Sequence, residues 1–206
     1  MLRHMRTSLY NHLPTFKGTF DAIFRPSRFV NQFGGPLNGQ IQRRAFIQEL
    51  LNTHDFKWII ETGTFRGDTT EFFAAHRSVK IITIETNAEY AAFSRIRLRR
   101  LRNVNVVHDD SINFPRILTY HRYNRNDLTL YYLDAHWNSY LPLREELALI
   151  RGCSQHALVV IDDFQIPYDN GYGYDDYGGG NAINLQYIES EARDYFDVFL
   201  PREPAA

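Results

Sequence analysis

The sequence predicts an α/β fold: a doubly wound, mostly parallel sheet with helices on both faces. Three observations predict it. Short apolar runs alternate with longer amphipathic stretches from residue 38 onward. The runs are continuously apolar, as strands become when helices cover both faces of a sheet. Several of them end in glycine or acidic residues, at the place where open α/β sheets bind ligands.

Residues 1–37 read as an irregular N-terminal extension, because Pro14, Pro26, Gly34, Gly35 and Pro36 interrupt any long element. Residues 38–206 hold the domain. Asn38 is suited to cap a helix over "GQIQRRAFIQELLNTH", where Phe46/Ile47 and Leu50/Leu51 lie one turn apart. "KWIIETG" is then a strand and "DTTEFFAAHR" a helix. "VKIITIET" is a strand and "NAEYAAFSRIRLRRLR" a helix. "VNVVHDD" is a strand, and "SINFPRILTYHR" a helix with proline in its first turns. "LTLYYLD" is a strand, followed by the helix "PLREELALIRG", closed by Gly152. "HALVVIDD" is a strand. A Gly/Tyr/Asp-rich loop follows, then the helix "NAINLQYIESEARD" and a closing strand "YFDVFLP".

A chain of 206 residues, 44% hydrophobic and 23% charged, suits one globular domain with a full core. The net charge of −1 gives no whole-chain argument for nucleic acid as a partner. The charge is uneven, however. Residues 1–50 and the run from Arg95 to Arg102 are basic, and the stretch from Asp162 to Asp197 is acidic. The ordinary reading of such a run is a solvated helix face. The single cysteine, Cys153, excludes an intrachain disulfide and reads as a small core residue. The N-terminus has no apolar signal region, and no segment approaches the ~20 apolar residues of a membrane span. A cytoplasmic domain with no membrane partner is the expectation, and a homo-oligomer stays open.

The strand ends carry the chemistry. Gly63 and Gly67 in "ETGTFRGDTT" give a sharp turn leading into a helix N-terminus. The pattern matches neither the dinucleotide fingerprint nor a triphosphate loop. Glu85 ends the second strand about twenty positions on, suited to the two hydroxyls of a ribose or, more plainly, to capping the next helix. Asp109 to Ser111 end the third strand where an adenine edge can lie. Together these favour an adenosine ligand. The fourth strand ends at Asp134 and the fifth at Asp162 and Asp163. If the two strands are neighbours, their ends lie about 5 Å apart. Like charges so close repel unless a cation sits between them, and an all-oxygen set suits Mg²⁺ first, then Ca²⁺ or Mn²⁺. Each aspartate can equally cap a loop or a helix.

In order and spacing, "NGQIQRRAFIQEL", "IIETGTFRGDTT", "IITIETN", "LDAHW…YLPL" and "VVIDDF" resemble class I S-adenosylmethionine-dependent methyltransferases. The type is the metal-dependent, catechol O-methyltransferase-like one. The match runs over about 38–164, and the pattern is also similar to sugar O-methyltransferases acting on macrolides. The resemblance implies a Rossmann-like methyltransferase fold and a small hydroxylated acceptor. It implies that Glu61, Gly63 and Gly67 shape the methionine end of the cofactor pocket, and that Thr69 holds the cofactor's carboxylate with backbone near Gly34 and Gly35. Glu85 would bind the ribose, Asp110 and Ser111 would face the adenine, and Asp134, Asp162 and Asp163 would hold the metal. It also implies one more antiparallel strand beyond Leu200, where this chain has only "PREPAA".

Two departures stand out. The catechol type has a lysine after its "DHW" as general base, and this chain reads "DAHWNSY". His136 is then the available base, or else a packed histidine. Asp163 replaces the family's asparagine, which makes the site more anionic. The loop from Tyr168 to Asn181, rich in glycine and tyrosine, follows directly and reads either as a mobile lid or as a surface loop. A nucleic-acid methyltransferase using the Arg95–Arg102 face is the competing class. Against it, the fourth strand lacks the Asn/Asp-Pro-Pro-aromatic motif that holds a flipped base. A non-catalytic cofactor-binding protein of the same fold is the third.

Overall fold

A computed structural model describes residues 2–137, 140–169, 171–202 and 204. Five parallel strands form one sheet in the order β3-β2-β1-β4-β5. They are β1 (Trp58–Thr62), β2 (Lys80–Glu85), β3 (Val104–His108), β4 (Thr129–Leu133) and β5 (Ala157–Ile161). β1 and β4 are buried throughout, which is why their sequences are unbroken apolar runs.

Side chains alternate across the sheet with period two and feed two cores. Trp58, Ile60, Ile82, Ile84, Tyr131 and Leu133 point to one face. There they meet α5 (Phe114–Tyr120), α6 (Leu143–Cys153) and α7 (Leu185–Ala192). Ile59, Ile81, Leu130 and Tyr132 point to the other face, against α2 (Ile41–Thr53) and α3 (Asp68–Ala74). α4 (Ala88–Leu98) follows β2 and is capped by the Asn87 side chain, which accepts from the amides of Glu89 and Tyr90.

Four expectations are corrected. The N-terminal segment is irregular only after residue 24: α1 spans Leu2–Phe24 with Pro14 inside it and packs along α4. Gly18 permits that approach, since a Cβ there would lie 2.0 Å from the Glu89 carbonyl. Asn38 does not cap the next helix. It sits with left-handed φ in a 3₁₀ turn, Pro36–Gly39, and the helix begins at Ile41. Gly152 lies within α6, which runs on to Cys153. "YFDVFLP" forms no strand, and Val198 and Phe199 point largely to solvent.

Candidate active site

The carboxyl ends of all five strands lie along one edge of the sheet, so their polar residues converge without long-range accident. Gly63 ends β1 with φ +84, and a Cβ there would lie 2.1 Å from the Asp134 carbonyl oxygen. The glycine is therefore required by contact between the first and fourth strand ends. Gly67 has φ +82, and its missing Cβ makes room for Leu98 of α4.

Glu85 is buried at the end of β2. Its two carboxylate oxygens accept from the amides of Phe65 (2.7 Å) and Asn87 (2.8 Å), with a further backbone hydrogen bond from Thr86. Burial raises its pKa despite those bonds. Glu61, buried in β1, accepts from the Thr70 hydroxyl, and burial pushes its pKa to about 7. Thr69 is already engaged: its hydroxyl accepts from the Leu37 amide at 3.0 Å. That bond fixes the turn carrying Gly34 and Gly35, both at positive φ, against the start of α3. The Asn31 amide and the Gln32 side chain tie the same segment to Asp68 and Arg66. Asp110 accepts from the Ile112 amide and from the Tyr140 hydroxyl. Ser111 is buried beside Glu146 of α6, whose carboxyl burial pushes to about 7.

At the ends of β4 and β5 the expected trio is rearranged. Asp134, His136 and Asp163 offer ligand atoms that all lie within 4.8 Å of one another. Asp162 is not in that group. It is buried and pairs with the Arg43 guanidinium from α2, which also reaches Asp163 at 3.2 Å. The Asn38 amide lies 3.5 Å from both aspartates. β4 stops at Leu133, so Asp134 and His136 come together through the following turn and not by strand alternation. His136 is 4% exposed, and its Nε2 has no hydrogen-bond partner among the described residues. Burial lowers its pKa, while Asp163 and Asp175 pull the other way. The imidazole is therefore neutral at neutral pH. Burial, then Asp163 and Glu61, hold the Asp134 carboxyl well above the usual range.

The loop after β5 folds back over this group. The Asp175 amide donates to the Asp163 carbonyl at 3.1 Å, and Asp175 lies 3.9 Å from His136 Nε2. Tyr177 donates to Asp175 and stands 3.3 Å from the His136 carbonyl. Arg43 and Glu146 read from sequence only as helix residues, Asn38 only as a helix cap, and Asp175 and Tyr177 only as members of the loop 168–181. Only the loop residues carried a signal, their glycine- and tyrosine-rich context.

A divalent cation fits the donor set: two carboxylates, one of them disfavoured as an isolated anion, and a buried imidazole nitrogen with no partner. The nitrogen donor widens the choice beyond Mg²⁺ to ions that accept imidazole.

No protein-family profile matches the chain, and no curated protein matches it in sequence. Its fold does match solved structures. One is the O-methyltransferase TomG from Streptomyces achromogenes, involved in tomaymycin synthesis, in complex with SAM. It is 19% identical over 59% of this chain and 55% of that one, with a TM-score of 0.50. A SAM-dependent methyltransferase from Aquifex aeolicus is 14% identical over 57% and 62%, with a TM-score of 0.45. Cofactor-bound Rv0187 from MTB is 22% identical over 60% and 56%, also at 0.45. The chain spans just over half to about three fifths of the length of these structures. The fold is the Rossmann-like one of class I methyltransferases.

Proposed function

We propose that the chain transfers the methyl group of S-adenosylmethionine to a hydroxyl of a small molecule such as a sugar, a phenol or a natural product, with help from a divalent cation. The observation that carries the reading is the convergence of Asp134, His136 and Asp163 beside the glycine turn of β1. The shared fold with TomG, itself an O-methyltransferase, supports the same class.

The cofactor supplies a methyl group already activated by a sulfonium. This chain's residues have then to hold it, align a hydroxyl behind it and remove a proton. Glu85, held at the end of β2 by backbone amides, would accept from the ribose hydroxyls. Asp110 and Ser111 stand at the end of β3 for the adenine. Glu61, Gly63, Gly67 and Thr69, with backbone near Gly34 and Gly35, would line the methionine end. Asp134 and Asp163 would hold the metal, Mg²⁺ or another divalent ion, with Asp162 behind them on Arg43. Such an ion lowers the pKa of a bound hydroxyl. His136, neutral and buried, can accept the proton at Nε2 or can serve as the third ligand. Asp175 and Tyr177 bring the following loop against the acceptor side.

The test is calorimetry with S-adenosylmethionine, with and without Mg²⁺ or Mn²⁺, followed by a labelled-methyl screen of hydroxylated acceptors. Micromolar binding of the cofactor and metal-dependent transfer are expected. Absence of cofactor binding under both conditions would overturn the assignment. Full turnover in excess chelator would remove the metal from it.

A further inference from the structure

α1 is turned the unusual way round. The face it presents to α4 is small and polar: Gly18 lies on the Glu89 backbone, and Asp21 is 5% exposed. Lys17 bridges Asp21 and Glu89 beside it. The opposite face is apolar. Leu13, Phe16, Phe20, Ile23 and Phe24 are 49%, 68%, 37%, 53% and 68% exposed. At helical spacing these five form one stripe, with Phe16, Phe20 and Phe24 ring against ring at 6.3 and 4.8 Å. A helix that points its aromatic face outward marks an interaction site.

Two observations identify the occupant. The first is charge. Residues 2–28 carry Arg3, Arg6, Lys17, Arg25 and Arg28 against the single acid Asp21. α1 packs on α4, whose last turn and following residues expose Arg95, Arg99, Arg100 and Arg102. Arg25 lies over the Phe20 ring at 5.3 Å. The basic run that reads as a solvated face in the sequence thus belongs to the same helix pair as the apolar stripe. The second is area. Five side chains so exposed offer on the order of 500 Å² of apolar surface. That is within the range of the largest apolar patch on a monomer and close to the apolar share of the ~800 Å² each partner buries in a stable dimer, so the patch is wide enough for a lipid surface or a second copy. Charge decides between them, since a second copy would bring like charges together. Bases need separately accessible rings to stack on, whereas these rings lie against one another, with Leu13 and Ile23 beside them.

We propose that α1 docks the protein on an anionic lipid surface, with Leu13, Phe16, Phe20, Ile23 and Phe24 in the headgroup–acyl boundary and the arginines among the headgroups. No helix of the described residues is long and apolar enough to cross a membrane, so the helix lies in the plane of the interface. The inference is independent of the methyl-transfer reading.

The test is co-sedimentation of the full chain with large unilamellar vesicles. One set is phosphatidylcholine alone, and the other carries 30% phosphatidylserine, on the order of a plasma-membrane leaflet's anionic content. Partitioning about tenfold stronger onto the anionic set is expected, weakening as salt rises. The triple variant Phe16→Ser, Phe20→Ser, Phe24→Ser should lose it with its melting temperature kept, because the three rings are on the surface. Arg99→Gln, Arg100→Gln, Arg102→Gln should lose the preference for the anionic set. Equal sedimentation of wild type and the Phe triple variant overturns the proposal. So does a two-copy mass in solution that the triple variant returns to one, or binding that single-stranded RNA supports and vesicles do not.

Discussion

Replacing Glu61 by glutamine should stabilise the protein at high pH and not at low pH. The carboxyl is 1% exposed in β1, and burial is the largest cause of its raised pKa, with Glu85 adding a little. It rises from 4.5 to about 7. Below pH 4.5 the group is protonated folded or unfolded, and its titration contributes nothing to the pH dependence. Between pH 4.5 and 7 the unfolded chain gives up the proton and the folded chain keeps it, so stability falls as pH rises. Above pH 7 the loss is complete, at 1.36 kcal/mol for each pH unit between the two values, about 3 kcal/mol in all. Glutamine keeps the shape, can accept from Thr70 and can donate to Thr83, which also borders the carboxyl. The assay is urea unfolding of both proteins from pH 4 to 8.5, followed by tryptophan fluorescence. Glu146 has a similarly raised pKa but is common to both proteins, so it drops out of the difference. The variant's advantage should grow with pH to about 3 kcal/mol. A difference that stays flat with pH would mean that Glu61 is ionised in the fold, and the reasoning from burial would fail.

Glu85→Ala should weaken S-adenosylmethionine binding by about 1.5–3 kcal/mol, read by calorimetry, and unchanged affinity would displace the ribose from the end of β2. Gly63→Ala should cost about 2–5 kcal/mol of stability, since it adds a left-handed φ penalty to a Cβ driven into the Asp134 carbonyl. A near-normal melting temperature would contradict that contact. His136→Ala should lower kcat by roughly 10²–10⁴ with metal affinity kept if the imidazole is the base. If it is a ligand, metal affinity should fall as well, and turnover kept in the folded fraction would exclude both roles. Because burial lowers the pKa of His136, its contribution to stability should hold above about pH 6.5 and decline as pH falls below that, where the unfolded chain takes up the proton more readily. An acid unfolding midpoint that His136→Ala leaves unmoved would contradict the burial.

The sheet was legible because its strands are covered on both faces and so are written as unbroken apolar runs. Trp58 to Thr62 and Thr129 to Leu133 show this most plainly. Strand ends were legible for the same reason: Glu85 and Asp134 stand where the apolar run breaks. The N-terminal helix was not, because Pro14 reads as a breaker. It lies inside α1 all the same, and Gly18 gives that helix a slender face against α4. Asn38 carries a capping residue's chemistry, but the turn around it is left-handed and leaves Gln40 at the N-cap of the helix. "YFDVFLP" is apolar like a strand, yet no described strand edge pairs with it. Arg43 could not be found from local pattern at all. It looks like any polar residue on an amphipathic helix until the fold brings it to Asp162 and Asp163.

That pair has a kinetic consequence. Arg43 and Asp163 are 120 residues apart in sequence, so their contact closes nearly the whole sheet-forming part of the chain into one loop. Closure of so long a loop is entropically costly and waits on the shorter strand-to-strand pairings that bring its ends near. The pocket should therefore be assembled late in folding and be among the first regions to open in the native state. In hydrogen exchange, amides from residue 31 to residue 43 should then lose protection at lower free energy than those of β1 and β4. On that expectation the site opens and reseals locally, without the sheet coming apart.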